Sequence, residues 1–94
     1  MLNICIDNQT RSRHYHLLIH DVNEQLEDVQ DFVSRSCYYY NSKGRLVIRN
    51  EAGKEVKVNP GDHIVQLGLH KYIVCKPKVF EANYTIEDES PNGE

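Results

Sequence analysis

The stretch that most constrains how this chain can fold is residues 59–84, NPGDHIVQLGLHKYIVCKPKVFEANY. Pro60-Gly61 signals a type II turn, because proline presets φ at the second position and glycine supplies the positive φ needed at the third. Asp62 follows, where its carboxylate can accept backbone N–H groups as the chain leaves the turn. Ile64 and Val65 open an apolar run that stops at Leu67-Gly68, and Tyr72-Ile73-Val74-Cys75 forms a second run rich in β-branched and aromatic residues. Two such runs across a short gap predict a hairpin. Lys76-Pro77 ends its second strand, since proline lacks the ladder donor and pushes the residue before it to an extended conformation. Val79 and Phe80 then fold back as a short turn or one helical turn, and Tyr84 and Ile86 read as a final strand. Tyr72, Cys75, Phe80 and Tyr84 are expected to be buried.

The rest of the chain reads as packing for this unit. Residues 2–6 alternate as a short strand, and Asp7-Asn8-Gln9-Thr10 breaks it. Residues 13–20 follow as a second strand, with Tyr15, Leu17 and Ile19 on one face and His14, His16, Leu18 and His20 on the other. Asp21 begins a helix, paired with Glu24 in a spacing like a capping box, and Val22, Leu26, Val29, Phe32 and Val33 recur as its apolar face. Residues 37–40 open a meander through Asn41-Ser42-Lys43-Gly44 and Asn50-Glu51-Ala52-Gly53, each turn ending on glycine. Strands over 38–40, 46–49, 55–58, 64–67 and 71–75 would then pair in sequence. The predicted fold is α+β: a small, mainly antiparallel β-meander or half-barrel packed with one amphipathic helix. One domain over residues 1–86 is expected, followed by an acidic tail over 87–94 with nothing to bury and no fixed structure.

The string P-G-D-H-I-V, a gap, then Y-I-V-C-K-P-K-V-F-E-A-N-Y resembles the C-terminal half of a group of small phage and prophage proteins. The matching residues are Gly61, Asp62, Ile64, Tyr72, Cys75, Lys76, Pro77, Phe80, Glu81 and Tyr84. Such proteins often begin with a basic strand and a Gln-Trp or Gln-Phe, whereas this chain begins MLNICIDNQTRSRHYHLLIH. The resemblance implies no activity. It implies a phage-encoded accessory protein that occupies the surface of a host or phage protein in a bacterial cell, with inhibition of a host defence complex as the expected outcome.

Composition excludes several classes. With 39% hydrophobic and 27% charged residues, the 94-residue chain falls among ordinary globular domains rather than disordered ones. No run approaches the roughly 18 apolar residues of a membrane span, and the first dozen residues are too polar for a signal peptide, so a cytoplasmic location is expected. Cys5, Cys37 and Cys75 are odd in number and widely spaced, which predicts three reduced, mostly buried thiols. His14 and His16 would point the same way about 7 Å apart on a strand. With His20 near its end and no fourth ligand in view, solvated histidines are expected, with no metal site and no cofactor. His63 and His70 stand apart from any nucleophile in the sequence, so no triad is read and the chain is not expected to be an enzyme.

Charge is unevenly spread. Residues 1–40 hold three Lys+Arg against six Asp+Glu, residues 41–80 hold eight against three, and the last fourteen hold five acids and no Lys or Arg. Two binding surfaces follow. Glu24, Glu27, Asp28 and Asp31 make the outward side of the helix acidic, suited to a basic protein partner. Arg45, Arg49, Lys57, Lys71, Lys76 and Lys78, with Tyr38, Tyr39, Tyr40 and Tyr72, would suit the phosphates and stacked bases of a nucleic acid if they shared a sheet face. The overall charge of −3 and pI of about 5.9 disfavour the second reading. A homodimer through a meander edge is a further expectation.

Overall fold

The computed structural model of the chain describes residues 3–87. These form eight strands in two antiparallel sheets with two α-helices. The strands are β1 (Asn3–Asp7), β2 (Arg13–Leu18), β3 (Tyr38–Tyr40), β4 (Leu46–Arg49), β5 (Glu55–Lys57), β6 (His63–Gly68), β7 (Lys71–Cys75) and β8 (Tyr84–Ile86); the helices are α1 (Leu26–Phe32) and α2 (Pro77–Asn83). The α+β antiparallel reading therefore holds, but the strands are shared out differently from a single meander. A five-stranded sheet runs β7-β6-β2-β1-β8, and β3-β4-β5 forms a separate three-stranded sheet.

The break falls at the turn that opens the constraining stretch. Asp62 N–H donates to Asn59 O at 3.0 Å, and Gly61 takes φ +95°, as the Pro-Gly turn demands. Gly61 N–H donates to Ile19 O and Ile19 N–H to Asp62 O, so the turn is tied to the end of β2 rather than back to β5. β6 thus pairs with β2, Leu17 opposite Ile64, and the β6–β7 hairpin joins the β1–β2 hairpin edge to edge. The Asp62 carboxylate, 1% exposed, accepts from Asn59 N–H at 2.9 Å and from Lys76 Nζ at 3.3 Å.

Both faces of the large sheet are covered, and alternation along its strands feeds two cores. On one face Leu17, Ile64 and Tyr72 meet Leu46 and Ile48 of the small sheet, Val29 and Phe32 of α1, and Val33 just after it. On the other, Cys5, Val65 and Cys75 pack under Phe80 of α2 and Tyr84 of β8. All four residues expected to anchor the constraining stretch are buried.

Both helices differ from the sequence expectation. Asp21 Oδ1 accepts from Asn23 N–H at 3.0 Å and caps a 3₁₀ turn, Val22–Glu24, before α1 begins. Gln25, not Glu24, closes the cap: its Oε1 accepts from His20 and Asp21 N–H, and its Nε2 donates to Leu18 O. Gln25 is therefore buried, and Leu26, expected in the core, sits on the first turn 49% exposed. In α2, Pro77 occupies the first helical turn, where its missing N–H leaves no bond unmade, and the fold-back runs to seven residues rather than one turn. Glu87, expected to begin the free tail, is anchored: its N–H donates to Ile4 O, and its carboxylate accepts from Arg13 Nη2 at 2.6 Å. The remainder of the expected tail, 88–94, lies outside the described residues.

Candidate functional site

Glu24, Glu27 and Asp31 are exposed and Asp28 is half-buried. Glu27 and Asp31, four apart, share the outward side of α1 because its inward side is taken by Val29 and Phe32. None of the ion pairs within the described residues involves Glu24, Glu27 or Asp31. Leu26 adds an apolar side chain to the same short helix. The charge pattern alone misses it. Its signal in the sequence is Gln25, an amide long enough to reach back over the chain entering the helix and occupy the buried position next to it.

The basic residues do not share one sheet face. Arg49 and Lys57 lie on the three-stranded sheet, Lys71 starts β7 of the other sheet, Lys76 pairs with Asp62, and Lys78 is on α2. Arg45, just before β4, donates from Nη1 to Asn59 Oδ1 at 3.1 Å. On the outer face of the small sheet, Tyr39, Val47 and Lys57 form one cross-strand row, with Arg49 opposite Glu55 in the next. Glu55 occupies this face as an acid: it accepts from Tyr39 OH at 2.9 Å and lies 3.9 Å from Arg49. Tyr38 and Tyr40 turn to the core side, and Tyr72 is 1% exposed. Of the four tyrosines expected to stack bases, Tyr39 alone is fully on the surface.

His20 is exposed and His14 half-buried, but His16, His63 and His70 are not the solvated or isolated groups expected. His16 is 1% exposed, and its Nδ1 lies 3.2 Å from Nδ1 of His63. Phe80 stacks flat on His63, with ring centroids 3.7 Å apart and planes 2° from parallel. Nε2 of His16 is buried without a hydrogen-bond partner among the described residues. Burial, and next the charge of His63, push the His16 imidazole down to about 4; burial also lowers His63. Diagonal pairing across β2 and β6 creates this contact, since His16 sits opposite Val65 and His63 opposite Leu18. No sequence spacing could reveal it.

His70, at φ +59° in the β6–β7 turn, brings Nδ1 to 2.6 Å from Ser34 Oγ. Ser34 Oγ also lies 3.2 Å from Tyr72 OH, which accepts from Ser34 N–H and donates to Phe32 O. Those bonds tie the hairpin to the end of α1. The three cysteines are free and buried. Burial, and next the neighbouring Cys75, push the Cys5 thiol up to about 11, and burial raises Cys75, so neither is poised as a thiolate. Among the described residues no group of three or more His, Cys, Asp or Glu side chains is gathered to hold a metal ion, and no helix is long and apolar enough to cross a membrane.

Comparison of the chain with protein-family models, curated proteins and solved structures gave no match.

Proposed function

We propose that the chain is a non-enzymatic protein-binding module that docks a basic protein surface on α1. The observation that carries this reading is the exposed Leu26 beside the carboxylates of Glu27 and Asp31, which have no ion-pair partner within the described residues. Interfaces draw affinity from an apolar contact that is desolvated on binding, while surrounding charges set partner choice and speed encounter. Both parts occur here within two helical turns. The partner is a protein carrying lysine or arginine around a small apolar recess. The sequence resemblance to phage and prophage proteins supports a host or phage protein in the bacterial cytoplasm as that partner, with inhibition of a host defence complex as the consequence of docking.

The test is capture from a nuclease-treated bacterial lysate, comparing the wild-type chain with the Glu27→Lys, Asp31→Lys double variant. Surface substitutions of this kind change stability by under about 0.5 kcal/mol, so circular dichroism should show an intact fold. Capture of one protein by the wild type and its loss with the double variant is the expected result. Undiminished capture would remove α1 as the docking surface. Nuclease-sensitive, salt-steep capture that weakens on Lys57→Glu with Lys71→Glu would transfer the function to a nucleic acid, with a log–log salt slope of about −0.7 per phosphate for a single strand.

A further inference from the structure

Three segments distant in sequence border an open groove of about 570 Å³ on the side of the small sheet next to the start of α1. They are the turn after β2, the β3–β4 turn and the β5–β6 turn. The volume is within the range of roughly 300–1,000 Å³ typical of small-molecule sites. Leu46 and Val58, 0% and 1% exposed, lie sealed beneath the groove, and the apolar surface open to a ligand comes from half-buried Val22 and exposed Pro60. Lys43 and Arg45 line its rim with the amides of Asn23 and Asn59.

The turn that carries both cations, and the Arg45 guanidinium itself, are held in place before any ligand arrives. Asn41 Oδ1 accepts from the backbone N–H of both Lys43 and Arg45, at 2.9 and 3.0 Å, which locks the turn that carries them. Asn59 Oδ1 accepts one guanidinium N–H of Arg45 and orients the planar fork. No ion pair within the described residues takes either cation. Asp21 also borders the groove, its Oδ1 accepting from Asn23 N–H as a cap, so the lining carries two cations against one carboxylate. In a chain of net charge −3, this is a local excess of positive charge beside an apolar patch.

We propose that this groove binds a small phosphate monoester with a flat apolar body, of the size of a nucleoside monophosphate. Arg45 forks onto two phosphate oxygens, Lys43 neutralises the second charge of the dianion, and the body lies on Val22 and Pro60. Because the turn backbones are already fixed, little backbone ordering opposes binding. The site is independent of the docking surface proposed on α1.

The experiment is an amide-resolved NMR titration of the full chain with adenosine monophosphate, adenosine, inorganic phosphate and a short single-stranded oligonucleotide. Saturable shifts at Asn23, Gly44 and Asn59 with the nucleotide are expected, with adenosine and phosphate each at least about tenfold weaker. Lys43→Ala and Arg45→Ala are each expected to weaken the nucleotide by about tenfold, the loss of a charge-assisted contact, with an unchanged circular dichroism spectrum. Four results would overturn the proposal: no saturation at millimolar nucleotide, equal affinity for inorganic phosphate, shifts indifferent to both substitutions, or oligonucleotide binding whose shifts fall on Tyr39 and Lys57 instead of the groove.

Discussion

Phe80 shows how much one residue can organise. It is 2% exposed, lies flat on His63 and stacks on Tyr84 with centroids 5.3 Å apart, so it is the contact through which α2 grips the sheet. Phe80→Ala is expected to destabilise the chain by roughly 3–5 kcal/mol, measured by urea unfolding, because the lost burial adds to a cavity that flanking rings cannot fill. Beneath it, His16 links folding to pH. Its folded value of about 4 lies below the unfolded value of 6.5, so the unfolded chain binds the additional proton between them. Stability from this group is fully present above pH 6.5 and is lost as pH falls towards 4, with His63 shifted in the same direction. Carboxylates titrate in the lower part of that window, so the check is a comparison. The unfolding midpoint of His16→Gln should fall less steeply between pH 6.5 and 5 than that of the wild type.

At the level of elements, the start of α1 is decided by a side chain that propensity arguments pass over. Gln25 makes three hydrogen bonds to the chain between Leu18 and Asp21 while 4% exposed, and so does the work assigned to Glu24 in a capping box. Gln25→Ala should cost about 1–3 kcal/mol in thermal or chemical unfolding, since two N–H groups and a carbonyl lose their partner together. Glu24→Ala, by contrast, should lie within about 0.5 kcal/mol of wild type. The capping-box spacing was legible but named the wrong partner, one residue before Gln25. Asp21 caps a 3₁₀ turn, so α1 itself starts four residues later than expected, and the contact of Gln25 with the end of β2 holds that arrangement.

Across the whole molecule, Tyr72 connects the layers. Its ring meets Phe32 edge to face at 5.9 Å, and its hydroxyl bridges Ser34 N–H and Phe32 O, fastening β7 to the end of α1. Tyr72→Phe keeps the ring and removes the bridge, and is expected to cost about 1–3 kcal/mol by calorimetry because two backbone groups at the helix end lose their partner. The turn signals at Pro60-Gly61, Asn41–Gly44 and Asn50–Gly53, the alternation of β2, β6 and β7, and the burial of Tyr72, Cys75, Phe80 and Tyr84 followed from the sequence by itself. Each depends on local φ/ψ preference or on strand periodicity, which a chain carries whatever its partners. Which strands pair was decided by the tertiary structure: the hydrogen bonds from Ile19 to the 59–62 turn send β6 to β2 and split the expected meander in two. That partition also separated the basic residues, buried His16 against His63 and opened the groove beneath Arg45. All three depend on contacts between residues far apart in sequence, and no local preference encodes those.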